Sequence, residues 1–327
     1  MSTIKKISNS RCLTKKRISN TNYKKNVSKE LSLCHQIKNK KTLKNVLNKV
    51  YGNYITNKNS KITHTLYPYC GEELKAPGTL DRVNNNAINI EILDILKDEL
   101  QMEIIIDENI KKTNKQYFSK HSPKLFYDFL KQYIKKSKNN SHKLIISHGN
   151  FMKKLFKHIK NQTLNDKSIL SNIPNCDEQI IFDNLDIIMI RYNKEKDNVS
   201  LTALDIIRWK NNNNKYYDFS LAKKNVKYNN VIYIMRHCIG CHNTEGKNPI
   251  GIYKKIMIPG YGKYAFCLPI IINELKNEPI KKLKLLFKTY SGNNWNTKLT
   301  FGSSVIFRAI LTNSIVQHML KTNFKLK

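Results

Sequence analysis

Apolar residues change their spacing several times along this chain, and each change predicts an element. "ITHTLYP" (62–68) alternates and is rich in β-formers, which predicts a strand. "AINIEILDILKDELQM" (87–102) and "SPKLFYDFLKQYIKKS" (122–137) carry apolar residues at helical spacing. In the second of these, Ser122 stands at the N-cap position with Pro123 first in the helix. "HKLIISHG" (142–149) reads as a short buried strand ending in a His-Gly turn, with a helix over 150–162 leaving it. "LDIIMIRYN" (185–193) and "VSLTALDII" (199–207) read as a two-stranded hairpin. After a polar, Asn/Lys-rich stretch over 209–230, taken as a linker, "VIYIMRH" (231–237) is a second short buried strand. The remainder reads as a helix (265–277), a strand "KLKLLFKTY" (282–290) and a helix (304–322). Strands alternating with amphipathic helices predict an α/β layered domain. Residues 1–60 stand apart, with fifteen Lys or Arg against one acid, Glu30. Beyond a short helix near 43–51 they read as a basic, disordered extension.

Composition changes this picture little. The 327 residues suffice for one domain with an extension, and no run approaches the ~20 apolar residues of a membrane span, so no membrane partner is expected. The first seventeen residues lack the apolar core of a secretory signal; being basic and acid-free, they are compatible with a transit peptide. A net charge of +34 points either to nucleic acid or another polyanion, or to a Lys/Asn/Ile-rich vocabulary. Lysines spread evenly, without interleaved aromatics, favour the second reading; the basic N-terminus remains a place for non-specific polyanion binding. Seven irregularly spaced cysteines without a secretory signal argue against a disulfide framework and for a reducing, cytoplasmic compartment.

The chemistry concentrates at "YIMRHCIGCHNT" (233–244). Cys238, Cys241 and His242 spell C-x-x-C-H, the attachment signature of c-type haem. That reading needs export and a helical cytochrome; a zinc site needs a second ligand pair, and a redox pair needs a helix N-terminus. None of these is evident, so no metal and no cofactor is expected. Arg236-His237, at the end of an apolar strand, is the stronger candidate, because ligands in α/β sheets sit beyond the carboxyl ends of strands. His148 ends the other short buried strand in the same manner.

Arg236, His237 and Asn243 in "RHCIGCHN", Ser303, Ser304, Arg308 and Thr312 in "SSVIFRAILT", Ser147, His148 and Gly149 in "ISHG", and Glu72 in "YPYCGEE" together resemble the histidine phosphatase, or phosphoglycerate mutase-like, superfamily. Arg236, His237 and Asn243 match its R-H-G-x-[ST]-x-x-N. Ser303, Ser304, Arg308, Ala309, Ile310 and Thr312 match S-S-P-L-x-R-A-x-x-T, while Ser147, His148 and Gly149 match S-H-G. "YPYCGEE" is similar to the segment carrying the proton donor, with Glu72 the better-placed acid and Glu73 the fallback. The resemblance implies a three-layer α/β/α sandwich with a mostly parallel central sheet. It implies phosphomonoester hydrolysis through a phosphohistidine on His237, with Glu72 as proton donor and Arg236, Arg308, His148 and Asn243 around the phosphoryl group. The substrate would be a phosphorylated small molecule or a phosphoprotein. Two features depart from the family. The order is rotated: Glu72 and Ser-His-Gly (61–208) precede Arg-His and SSVIFRA (231–327), as expected of a circularly permuted single domain over 61–327 joined through 209–230, or of fused half-domains. Cys238 replaces a glycine, and Gly240 the usual Ser/Thr, so a catalytically inactive phosphate-binding or interaction module is the alternative, beside a basic nucleic-acid-binding protein.

Overall fold

The computed structural model describes residues 41, 45, 62–66, 102–106, 122–163, 180–196, 198–211, 215–218, 226–238, 278–304 and 307–321. Its elements are β1 (Ile62–Leu66), β2 (Met102–Ile106), α1 (Ser122–Lys136), β3 (His142–Ser147), α2 (Gly149–Thr163), β4 (Ile187–Glu195), β5 (Asn198–Asn211), β6 (Lys215–Asp218), β7 (Asn230–Arg236), α3 (Glu278–Ser291), α4 (Trp295–Lys298), β8 (Leu299–Ser303) and α5 (Phe307–Lys321). The fold is α/β with a mixed sheet, in the order β2-β1-β8-β3-β7-β4-β5-β6. Neighbours from β2 to β7 pair in parallel, and β4, β5 and β6 continue the sheet antiparallel. The helix expected over 265–277 lies outside the described residues, as does that expected over 87–102 apart from Met102, which opens β2, and the basic extension apart from Lys41 and Asn45, both helical.

Alternation along β4 and β7 divides the core. Ile188, Ile190 and Tyr192 on β4, with Ile232 and Ile234 on β7, face α1 and α2. Those helices present Phe126, Tyr127, Leu130 and Ile134, and Phe151, Met152, Leu155, Phe156 and Ile159, at the three- and four-residue spacing that makes one apolar stripe. Tyr233, between the two isoleucines of β7, points the other way and meets Phe287 of α3 edge-on at 4.9 Å.

Two expectations are corrected. Residues 282–290 are helical, within α3: Ile280, Leu283, Leu286, Phe287 and Tyr290 are buried at helical spacing. The segment 209–230 is more than a linker. It contains the end of β5 and all of β6, and Trp209 and Tyr217 are opposed across that pair. Strands β2 and β8 are additional to those read from the sequence.

His142 opens β3 almost fully buried, and its Nδ1 has no hydrogen-bond partner among the described residues. Burial, with the nearby Lys298 ammonium adding repulsion, lowers its pKa from 6.5 to about 4. Between those values the unfolded chain takes up a proton that the native protein refuses, so stability falls as pH falls from 6.5 towards 4. The shift corresponds to about 3 kcal/mol. His142→Gln is expected to remove that part of the slope, read as the difference between wild type and variant in urea midpoints at pH 7 and pH 4.5. Parallel curves for the two proteins would refute it.

Candidate active site

Four parallel strands finish on one row. Leu66 of β1 is in register with Ser303 of β8, Ile146 of β3 with Ser303, and Ser147 with Arg236 of β7. The ladder continues one step beyond the strands: the His237 N–H donates to the Ser147 carbonyl (3.0 Å) and the Ser304 N–H to the Ile146 carbonyl (2.9 Å). His148, His237 and Ser304 are thereby held side by side, all three buried. The two imidazole rings lie 5.1 Å apart, centroid to centroid, and His148 Nε2 is 2.6 Å from Ser304 Oγ.

His237 Nδ1 is 2.6 Å from the carbonyl oxygen of Cys238. A carbonyl only accepts, so Nδ1 carries the proton. In a neutral imidazole this leaves Nε2 with its lone pair, the form a nucleophile needs.

Arg236 lies against the first turn of α2. A Cβ on Gly149 would sit 3.1 Å from Arg236 Nε and 3.2 Å from its Cδ, so glycine here admits the arginine stem to the helix start. One guanidinium nitrogen, Nη1, donates to the Phe182 carbonyl (2.6 Å). The His148 carbonyl accepts the first bond of the helix, from Met152 (2.9 Å), so His148 stands at the helix N-terminus. The first turn of α2 has no acidic residue, and its N–H groups, which have no partner within the helix, add partial positive charge on the same side as Arg236.

The segment 182–186, which leads into β4, straps the end of β7. Beyond the Phe182 carbonyl, Asn184 Nδ2 donates to the His237 carbonyl (2.7 Å) and the Leu185 N–H to the Arg236 carbonyl (3.1 Å). The Arg236 N–H in turn donates to the Asp186 carbonyl (2.9 Å). The Asp186 carboxylate is fully buried and accepts from Trp209 N–H (2.8 Å), Asp183 N–H (2.8 Å) and Arg208 Nη1 (2.7 Å). Burial pushes its carboxyl up to about 6, against the opposing pull of Arg208 and the two N–H donors.

Cys238 is buried and is not in a disulfide, and its N–H donates to Thr312 Oγ1 on α5 (3.1 Å). Among the described residues the non-glycine positions with positive φ are Asn140, Leu185 and Lys196. The backbone at Cys238 therefore does not require glycine, and the steric objection to a side chain there loses its conformational basis.

The sequence-derived residues thus divide into three groups. Arg236, His237 and His148 come together. Arg308 is the second residue of α5, the helix that follows the end of β8. Glu72, Glu73 and Asn243 lie outside the described residues. Among the described residues no group of three or more His, Cys, Asp or Glu could hold a metal ion, and no helix is long and apolar enough to cross a membrane. Asn184, Asp186, Ser304 and the hydroxyl of Thr312 are contributors whose roles sequence reasoning did not assign. Comparison with protein-family models, with curated proteins and with solved structures finds no match.

Proposed function

We propose that the chain is a phosphomonoester hydrolase working through a phosphohistidine on His237. The observation that carries this reading is the protonated Nδ1 of His237 beside a second strand-end histidine, with Arg236 packed on a helix N-terminus. In the first step Nε2 attacks phosphorus, the bond from phosphorus to the ester oxygen breaks, and the leaving alkoxide takes a proton from Glu72, by resemblance to the family. Water then attacks the phosphohistidine; the N–P bond breaks, inorganic phosphate leaves, and the water proton returns to the carboxylate. Arg236, Arg308, His148 and Asn243 would compensate charge on the phosphoryl oxygens.

The rotated element order is part of the proposal. β1 lies parallel beside β8, with α5 packed against both, although β1 stands near one end of the described chain and β8 near the other. That is the arrangement of a strand–helix–strand crossover, and joining the end of α5 to β1 would restore the order of the resembled family. The reading includes a three-layer domain whose parallel half, β2 to β7, bears the site. It also includes a phosphorylated small molecule or phosphoprotein as substrate, drawn in by the net charge of +34, and a reducing, cytoplasmic setting.

The test is release of phosphate from p-nitrophenyl phosphate and a panel of phosphomonoesters, with rapid quenching in alkaline detergent to trap a base-stable, acid-labile phosphoenzyme. Phosphate release with a trapped N–P bond is the expected result. No release from any ester would overturn the enzyme reading and leave the inactive phosphate-binding module.

A further inference from the structure

The peptide joining His237 to Cys238 is held from both sides. Its carbonyl accepts from Asn184 Nδ2 at 2.7 Å, and its N–H donates to Thr312 Oγ1 at 3.1 Å. The two partners come from distant parts of the chain, 53 and 74 residues away respectively. A peptide unit is planar, so fixing its C=O and its N–H fixes the whole plane. From that plane the chain turns once, at Cys238, and the next carbonyl meets His237 Nδ1.

We propose that Asn184 and Thr312 are positioning residues: by clamping the 237–238 peptide they aim the Cys238 carbonyl at His237 Nδ1 and so keep Nε2 unprotonated for attack. The catalytic consequence rests on the phosphohistidine reading; the clamp itself does not.

The strap that presents Asn184 is built for a fixed position. Leu185 holds a left-handed conformation (φ 69°), which costs a residue with a Cβ roughly 1–2 kcal/mol. The bonds of the Leu185 N–H and the Asp186 carbonyl to Arg236 hold it there. On the other side, Thr312 is fully buried on α5, so its hydroxyl has little freedom to swing away. The same clamp accounts for the tolerance of a side chain at Cys238. The geometry that sets the imidazole is imposed on the preceding peptide by neighbours rather than by the freedom of a glycine.

The test uses the full-length chain labelled with 15N-histidine, the His237 resonances being assigned by their loss in His237→Ala. Wild type is expected to show the Nδ1-protonated tautomer alone. Asn184→Ala and Thr312→Val should show a mixture of both tautomers, and Thr312→Ser, which keeps the hydroxyl, should restore the wild-type pattern. In turnover, the first two should lose about 10²-fold in kcat with KM little changed, and the serine variant should recover. Asn184 is half-buried, so its truncation leaves the core intact and keeps the measurement available even if Thr312→Val fails to fold. An unchanged tautomer in Asn184→Ala, or an Nε2-protonated ring in wild type, would overturn the clamp whatever the activity. If wild type hydrolyses no ester yet the tautomers shift as expected, the clamp stands and the phosphatase reading fails.

Discussion

His237→Ala is expected to reduce kcat/KM for phosphomonoesters by about 10⁴-fold or more while the protein stays folded. The size follows from what is removed. A nucleophile that forms the covalent intermediate has no substitute, so its loss deletes the pathway rather than weakening it. Four orders of magnitude correspond to about 5.4 kcal/mol of transition-state stabilisation. On the proposed mechanism His148→Ala should cost less, on the order of 10²-fold, because it would remove a group proposed to compensate charge on the phosphoryl oxygens and would leave the proposed attacking nitrogen in place. The two variants also differ in the trap: acid-labile phosphoenzyme should vanish in His237→Ala and persist at a reduced level in His148→Ala. Both residues are buried, so each variant must be matched for thermal midpoint against wild type before the rates are compared. Undiminished turnover in His237→Ala would move the nucleophile elsewhere and with it the whole assignment.

The paired histidines were legible because each closes a short apolar strand, and the carboxyl ends of strands in an α/β sheet are where ligands bind. The contacts that organise them were not legible. Asn184 and Thr312 meet the His237–Cys238 peptide across 53 and 74 residues, and Ser304 meets His148 across 156. Spacing along the chain carries no sign of such pairings. The one local hint was "FDNLD" (182–186), polar side chains set immediately before the apolar run of β4. The errors in the fold have equally specific causes. In 282–290 the sequence Lys-Leu-Lys-Leu imitates the two-residue alternation of a strand, yet Leu285 is exposed while Leu283, Leu286 and Phe287 are buried. One solvent-facing leucine supplied the false period. In 209–230 the Asn and Lys content concealed Trp209, whose N–H reaches the Asp186 carboxylate. β8 is five residues long and ends at Ser303, the first serine of the motif's Ser-Ser pair, so its few residues merge with the motif and carry little strand signal of their own.

Asp205→Ala is expected to cost about 3–5 kcal/mol in stability, a large share of the 5–15 kcal/mol that holds a domain together. Arg191 is fully buried on β4 and Asp205 almost so on β5, with Nη2 and Nε 2.6 and 3.1 Å from one carboxylate oxygen. The rings of Tyr228 and Tyr290 lie 5.6 and 5.5 Å from the guanidinium carbon. Two ions removed from water repay their desolvation mainly through each other, so truncating the acid leaves a buried cation without this carboxylate. Replacing both, as Arg191→Met with Asp205→Leu, should therefore cost far less than the sum of the single changes. The shortfall, read from urea unfolding of wild type, Arg191→Met, Asp205→Leu and the double variant, measures the coupling. Additive losses, or an Asp205→Ala cost below about 1 kcal/mol, would mean that the pair is solvated and structurally idle. Activity offers an independent check. Arg191 is in register with Val231, near the start of β7, whereas the site lies beyond Arg236 at its other end. A purely structural pair at that distance should leave kcat and the His237 tautomer unchanged in whatever fraction of Asp205→Ala remains folded. Loss of stability without loss of turnover per folded molecule would then separate the framework of the sheet from the chemistry at its edge.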